Sequence, residues 1–146
     1  MTRLVLALLV FCLAVPAALG DDTVEIETAT GNHVFTIELA DTPQLRQRGL
    51  MFRQHMAADH GMLFDFERDQ EISMWMQNTY IPLDMIFILS DGTVHRIERD
   101  TTPFSTRSIH SRGPVRSVLE VNAGRSAEIG LRPGDTVRHR IFSNAD

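Results

Sequence analysis

The chain contains no lysine, and all 14 of its basic residues are arginine. We read this first as base composition rather than a demand for guanidinium groups. Cysteine, tryptophan and tyrosine occur once each, as Cys12, Trp75 and Tyr80. The glycines are scattered, so there is no glycine-rich phosphate loop, and no serine sits in a nucleophile elbow. The histidines lack metal spacing: His55 and His60 are five apart, whereas a helical zinc pair needs i, i+4. Ser105, Ser108 and Ser111 lie near His110 in a polar stretch, with nothing to suggest a triad. The one long apolar run, Leu4–Val15, has twelve residues, and a membrane span needs about 20.

That run has a role of its own. Arg3 precedes it, Pro16 breaks it, and Ala18-Leu19-Gly20 offers small residues where a signal peptidase cuts. Residues 1–20 therefore read as a secretory signal peptide cleaved near Gly20, which implies a periplasmic or secreted protein. An uncleaved anchor is the alternative, and the membrane would then be met only through this segment. Lipidation at Cys12 is rejected because the bulky Phe11 stands before it.

Removing 20 of 146 residues leaves 126, with no cysteine. Such a chain cannot use a disulfide, a thiol nucleophile or a thiolate ligand. It must be held by its core alone, as one domain over 21–146. Loss of Arg3 leaves 13 basic against 19 acidic residues, a net charge of −6. An acidic surface argues against nucleic acid and anionic membranes as partners.

Val24–Ala29 reads as a strand and Gly31-Asn32 as a turn. His33–Ala40 alternates, with Phe35, Ile37 and Leu39 on one face. Thr42 or Asp41 can cap a helix whose first position suits Pro43, and the helix is placed near 43–54. Leu45, Gly49 and Phe52 would form its buried stripe, with Gly49 permitting a close approach. Short strands follow at Gly61–Phe66 and Glu71–Gln77, separated by a charged turn. Asn78–Pro82 is irregular because of Pro82. Met85–Leu89 and Val94–Arg99 flank a hairpin turn at Ser90–Thr93. Thr101–Gly113 reads as a long surface loop, and Val115–Val121 and Thr136–Phe142 complete the strands. The fold class is mainly β (α+β): a compact antiparallel β-barrel or sandwich with one short inserted helix.

The tracts RGLMFR (Arg48–Arg53), GMLFDF (Gly61–Phe66), WMQNTYIPLDMIF (Trp75–Phe87) and VLEVNAG (Val118–Gly124), in this order, resemble the prokaryotic domain-of-unknown-function family numbered 192. The resemblance runs from about Val24 to Phe142. It implies a compact, mostly β fold, often behind a signal peptide, and no activity. That family commonly carries lysine where this chain has Gln77.

Function must therefore come from the residues. Asp84 and Glu120 each sit beside apolar strand residues, and in one cleft they could form an acid/base pair with split pKa values. Alternatively they are structural, and Arg48 is the candidate partner. Trp75, Asn78 and Thr79, together with Asp84, Arg48 and Glu120, are the candidate ligand-binding residues: an aromatic face beside polar groups suits a small polar ligand. Asn78 and Thr79 could equally organise a turn. Met74 and Met76 fall on one strand face, and with His55 they are candidates for a Cu(I) site, although methionine is also a core filler. The preferred expectation is a non-catalytic, monomeric, ligand-binding or envelope accessory protein without a cofactor, whose partner is a small polar ligand or an envelope protein. An enzyme using Asp84 and Glu120 on an envelope glycan and a methionine-based copper binder are the alternatives.

Overall fold

The computed structural model describes residues 23–144. The expected signal peptide, its cleavage position and Asp21-Asp22 lie outside them. Seven strands form one curled sheet, a half-barrel, in the order β5-β4-β6-β3-β2-β1-β7. They are β1 Thr23–Thr28, β2 Gly31–Ala40, β3 His60–Met74, β4 Leu83–Ile88, β5 Val94–Glu98, β6 Ile109–Asn122 and β7 Thr136–Arg138. Two short helices, α1 Pro43–Arg48 and α2 Arg125–Glu128, and a 3-10 turn at Arg140–Phe142 complete the fold. Among the described residues, no helix is long and apolar enough to cross a membrane.

The mainly β class expected from the alternating patterns is what forms. The pairing is mixed, however, because β2 and β3 run parallel while the other pairs are antiparallel. A parallel pair needs a long crossover, and residues 41–59, which include α1, supply it. The outer strands meet at one end of the sheet. Val94 N donates to Asp135 O at 2.8 Å, Gly134 N to Val94 O at 2.8 Å and Val137 N to Gly92 O at 2.8 Å. Both exposed edges are thereby partly closed, which limits edge-to-edge association.

Each face of the sheet carries its own core. Val24, Ile26, Phe35, Ile37, Leu63, Ile86 and Leu119 pack inside the curl with Ile129, Leu131 and Phe142 from the C-terminal segments. Met62, Phe64, Leu83, Met85, Phe87 and Val118 pack on the other face beneath Leu50, Met56, Ile72 and Met76. A large apolar side chain fully buried in this way contributes roughly 1.5–3 kcal/mol. The centre of the sheet is therefore covered on both sides. This is why β4 reads from Met85 to Ile88 as a continuous apolar run rather than an alternation.

Several local expectations need correction. α1 ends at Arg48, with Gly49 at φ 48° closing it, rather than running to residue 54. Thr42 is the cap, accepting from Leu45 N at 3.2 Å. Leu45 and Phe52 are exposed, and Leu50 is the residue buried from this segment. The helix is too short for a stripe at i, i+4, i+7. Gly49 does make the expected close approach: a Cβ there would lie 3.1 Å from Phe64 Cζ.

The first turn falls at residues 29–30, just before Gly31. The two strands expected over 61–66 and 71–77 are one long β3, because both halves pair with β6 across a register shift. Glu67 takes φ 70° in that irregular stretch, and β3 stops at Met74, so Trp75 and Met76 lie beyond it. The polar stretch 101–113 is only partly loop, since β6 begins at Ile109. In this half of β6 the exposed His110 and Arg112 alternate with the buried Ile109 and Ser111, and a serine on the buried face hid the alternation.

Gly61 fixes how closely β3 approaches β6. A Cβ on it would stand 2.5 Å from the Glu120 carbonyl oxygen. Gly61→Ala is expected to cost about 1–3 kcal/mol through forced separation of the strands, read as a lowered urea midpoint. An unchanged midpoint would mean that the pair separates freely.

Candidate functional site

Register places the two candidate acids on opposite faces of the sheet. Asp84 pairs with Val121 of β6, while Glu120 pairs with Met85 of β4 and Met62 of β3. Side chains alternate along a strand, so Asp84 shares the face of Ile86 and Leu119, and Glu120 shares the face of Met62 and Met85. They cannot enter one cleft, and the expected acid/base pair does not form.

Asp84 is fully buried and saturated. Its Oδ1 accepts from Asp100 N at 2.9 Å. Its Oδ2 accepts from Gly124 N at 3.1 Å, Ser126 N at 3.0 Å and Ser126 Oγ at 2.6 Å. The cap position of α2 is Gly124, which has no side chain to offer. Asp84 supplies the capping carboxylate from another strand and meets the unpaired N–H groups at the helix start. Arg99, rather than Arg48, lies beside this network, donating from Nε to Ser126 Oγ at 3.1 Å. The role of Asp84 is structural.

Glu120 shares the burial of Asp84 but not its partners. It is buried, at 4% exposure, and no hydrogen bond or ion pair engages its carboxyl among the described residues. Desolvation alone pushes its pKa up from the ordinary 4.5 to about 8. A carboxyl buried without a partner favours its neutral form.

The side chain opens into a cleft of about 140 Å³ on this face of the sheet. α1 and the chain leaving it contribute Arg46, Gln47, Arg48, Leu50 and Met51. β3 contributes Phe64, Phe66, Ser73 and Met74, and the segment beyond it contributes Trp75, Gln77 and Thr79. The wall is mainly apolar, with a few polar groups and a carboxyl at its base, the usual make-up of a ligand site. The volume is close to that of a cavity that holds one benzene ring.

The cationic groups of the cleft are not equivalent. Arg46 donates from NH1 to Asp41 O at 3.0 Å and to Asp65 O at 2.7 Å, and its guanidinium lies 5.5 Å from the centre of the Phe66 ring. Arg48 is exposed on the rim and pairs with neither candidate acid, contrary to expectation.

Trp75 is half exposed, at 49%, and lines the cleft. Thr79 also lines it, but its backbone and hydroxyl organise the turn, with N donating to Met76 O at 3.1 Å and Oγ1 to Gln77 O at 3.1 Å. Asn78 is not part of the lining; it takes φ 53° and accepts from Phe52 N at 2.9 Å through its carbonyl. Both residues therefore behave as turn formers.

The three copper candidates lie in different surroundings. Met74 lines the cleft. Met76 is fully buried, and its sulfur accepts from Thr101 Oγ1 at 3.2 Å. His55 is exposed on the crossover. Met74 and Met76 part company because the strand ends between them.

The sequence did not reveal Arg46, Gln47, Met51, Phe64, Phe66 or Ser73 as cleft residues. Only the strand register and the parallel crossover bring α1 over the base of β6, and neither leaves a local pattern. The alternation of Phe64 and Phe66 in β3 was the one usable signal.

The DUF192 family model, described as Uncharacterized ACR, matches residues 24–139. Two crystal structures are similar. One is of a protein from Sinorhizobium meliloti 1021, provisionally named a transcription regulator. It is 49% identical, with 82% of this chain and 93% of that chain covered and a TM-score of 0.79. The other is of a protein of unknown function from Novosphingobium aromaticivorans DSM 12444. It is 38% identical, with 80% and 83% covered and a TM-score of 0.77. No curated protein matches this chain.

Proposed function

The chain belongs to the uncharacterised family DUF192, and from its own cleft we propose that it is a non-catalytic binding protein for a small organic ligand. The observation that carries this reading is Glu120, a buried and unpartnered carboxyl at the base of an open, aromatic-lined cleft. A buried polar group with no partner costs free energy. Such a cost is tolerated at sites that a ligand completes.

The carboxylate-enzyme reading loses its second acid, since Asp84 lies across the sheet. The regulator name of the Sinorhizobium meliloti protein finds no support in this chain's net charge of −5, which opposes contact with nucleic acid. The proposed setting is the periplasm, on the strength of the Met1–Gly20 pattern.

Native mass spectrometry of the protein recovered from the periplasmic fraction tests the reading as a whole. The expected species begins at Asp21 and carries a small organic adduct. Trp75→Ala should lose the adduct while unfolding at nearly the wild-type midpoint, because Trp75 is half exposed. An apo mass that stays apo when small aromatic ligands are added would count against a binding protein. A chain still carrying residues 1–20 would count against secretion.

A further inference from the structure

We propose that the cleft takes an organic cation, with its ammonium or guanidinium group against the Glu120 carboxyl and its apolar body against Trp75. This rests on the binding reading above and specifies its ligand.

Other buried acids of the described chain show what is missing at Glu120. Asp65 is met by both arms of Arg116, Nε and NH2, at 3.1 Å each. Asp84 is met by three backbone N–H groups and a hydroxyl. Glu120 has neither kind of partner. A neutral acceptor would gain one ordinary hydrogen bond from its protonated form. A cation would gain charge-assisted bonds to the ionised form, which are roughly twice as strong.

The walls suit a cation. Phe64 and Trp75 line it with aromatic rings, and cations bind the faces of such rings. Met51 and Met74 offer polarisable thioethers. A bare divalent metal suits the cleft poorly. It needs several oxygen ligands, and no group of three His, Cys, Asp or Glu gathers among the described residues.

The other titratable groups facing the cleft are Arg46 and Arg48, both from α1; the β3 segment and the turn beyond it contribute none. Arg46 is committed to two carbonyls and a ring. Arg48 sits on the exposed rim, where water and salt screen its charge.

The step balances as a proton exchange. A carboxyl with pKa about 8 is about nine-tenths protonated at pH 7. An arriving ammonium ionises it, and the carboxyl proton leaves to the buffer. Binding therefore releases about 0.9 proton per ligand at pH 7.

Trp75 is the only tryptophan of the chain, so intrinsic fluorescence reports on the cleft directly. The probes are benzylammonium, benzyl alcohol and benzoate, which share one ring and differ in charge. Benzylammonium is expected to bind at least about tenfold more tightly than either of the others. Calorimetry in buffers of different ionisation heat should give the proton release. Glu120→Gln should lose both the preference and the proton release, while circular dichroism shows it still folded. If benzyl alcohol or benzoate binds as tightly as benzylammonium, the cation assignment is overturned and the binding cleft stands. If none of the three perturbs Trp75 in folded protein, the binding reading falls and the cation assignment falls with it.

Discussion

Asp84→Ala is expected to lower the free energy of unfolding by about 3–5 kcal/mol, because it strips several buried donors of their one acceptor. The carboxylate holds four donors from three residues: Asp100, Gly124 and the backbone and side chain of Ser126. Alanine would leave these donors facing a cavity. Each buried donor left unsatisfied costs about 1–3 kcal/mol, less whatever water recovers. α2 would also lose its cap, since Gly124 has no side chain with which to replace it. Against a typical domain stability of 5–15 kcal/mol, this is a large fraction. Asp84→Asn keeps the volume but turns an amide donor toward donors, and should still lose more than about 1 kcal/mol. Urea unfolding measures both, and a loss below about 1 kcal/mol for alanine would show that the network is dispensable.

The second large effect is a dependence on pH. In the unfolded chain Glu120 titrates near 4.5, and in the folded protein near 8. The folded state therefore takes up a proton between these values. The stability contributed by neutral Glu120 is full below about pH 4.5, falls as pH rises, and levels off above about pH 8. One pKa unit is about 1.4 kcal/mol, so the fall across this window is about 4 kcal/mol. Glu120→Gln cannot ionise. It should match wild type near pH 4.5 and exceed it by about 4 kcal/mol at pH 8.5. Urea midpoints of both proteins across this range provide the comparison. Parallel curves would mean that Glu120 remains ionised in the fold, with a partner at its carboxyl. A gain in stability on neutralising a side chain is what a site held ready for a ligand predicts, because such sites trade stability for function.

How much of this was legible beforehand depends on which contacts are local. Alternation in His33–Ala40, the capping sequence Asp41-Thr42-Pro43 and the Ser90–Thr93 hairpin turn each carry their meaning within a few residues, and the fold bears them out. Asp84 and Glu120 were both visible as acids in apolar company. Their opposite fates were not, because those depend on which residue of β4 faces which residue of β6. A shift of one residue would exchange the faces. Arg48 was singled out for its charge and Arg46 was not, yet Arg46 is the one tied into the structure. Nothing in their side chains distinguishes them; only the carbonyls of Asp41 and Asp65 do. Gln77, the single noted departure from the family's usual lysine, lies in the wall of the same cleft as Glu120.

The place of β6 in the sheet has a kinetic consequence. It is the sixth of seven strands along the chain, yet it lies between β4 and β3. The β1–β2 and β4–β5 hairpins can zip locally. The centre must wait for residues 109–122, which then pair with partners as distant as Gly61. Pairing across such separations closes long loops before any contact rewards it, and folding dominated by it takes milliseconds to seconds. During synthesis most of the chain is therefore made before its middle can exist. The moment at which the sheet closes is set by when the late strand arrives, and stabilising either early hairpin would not bring it forward.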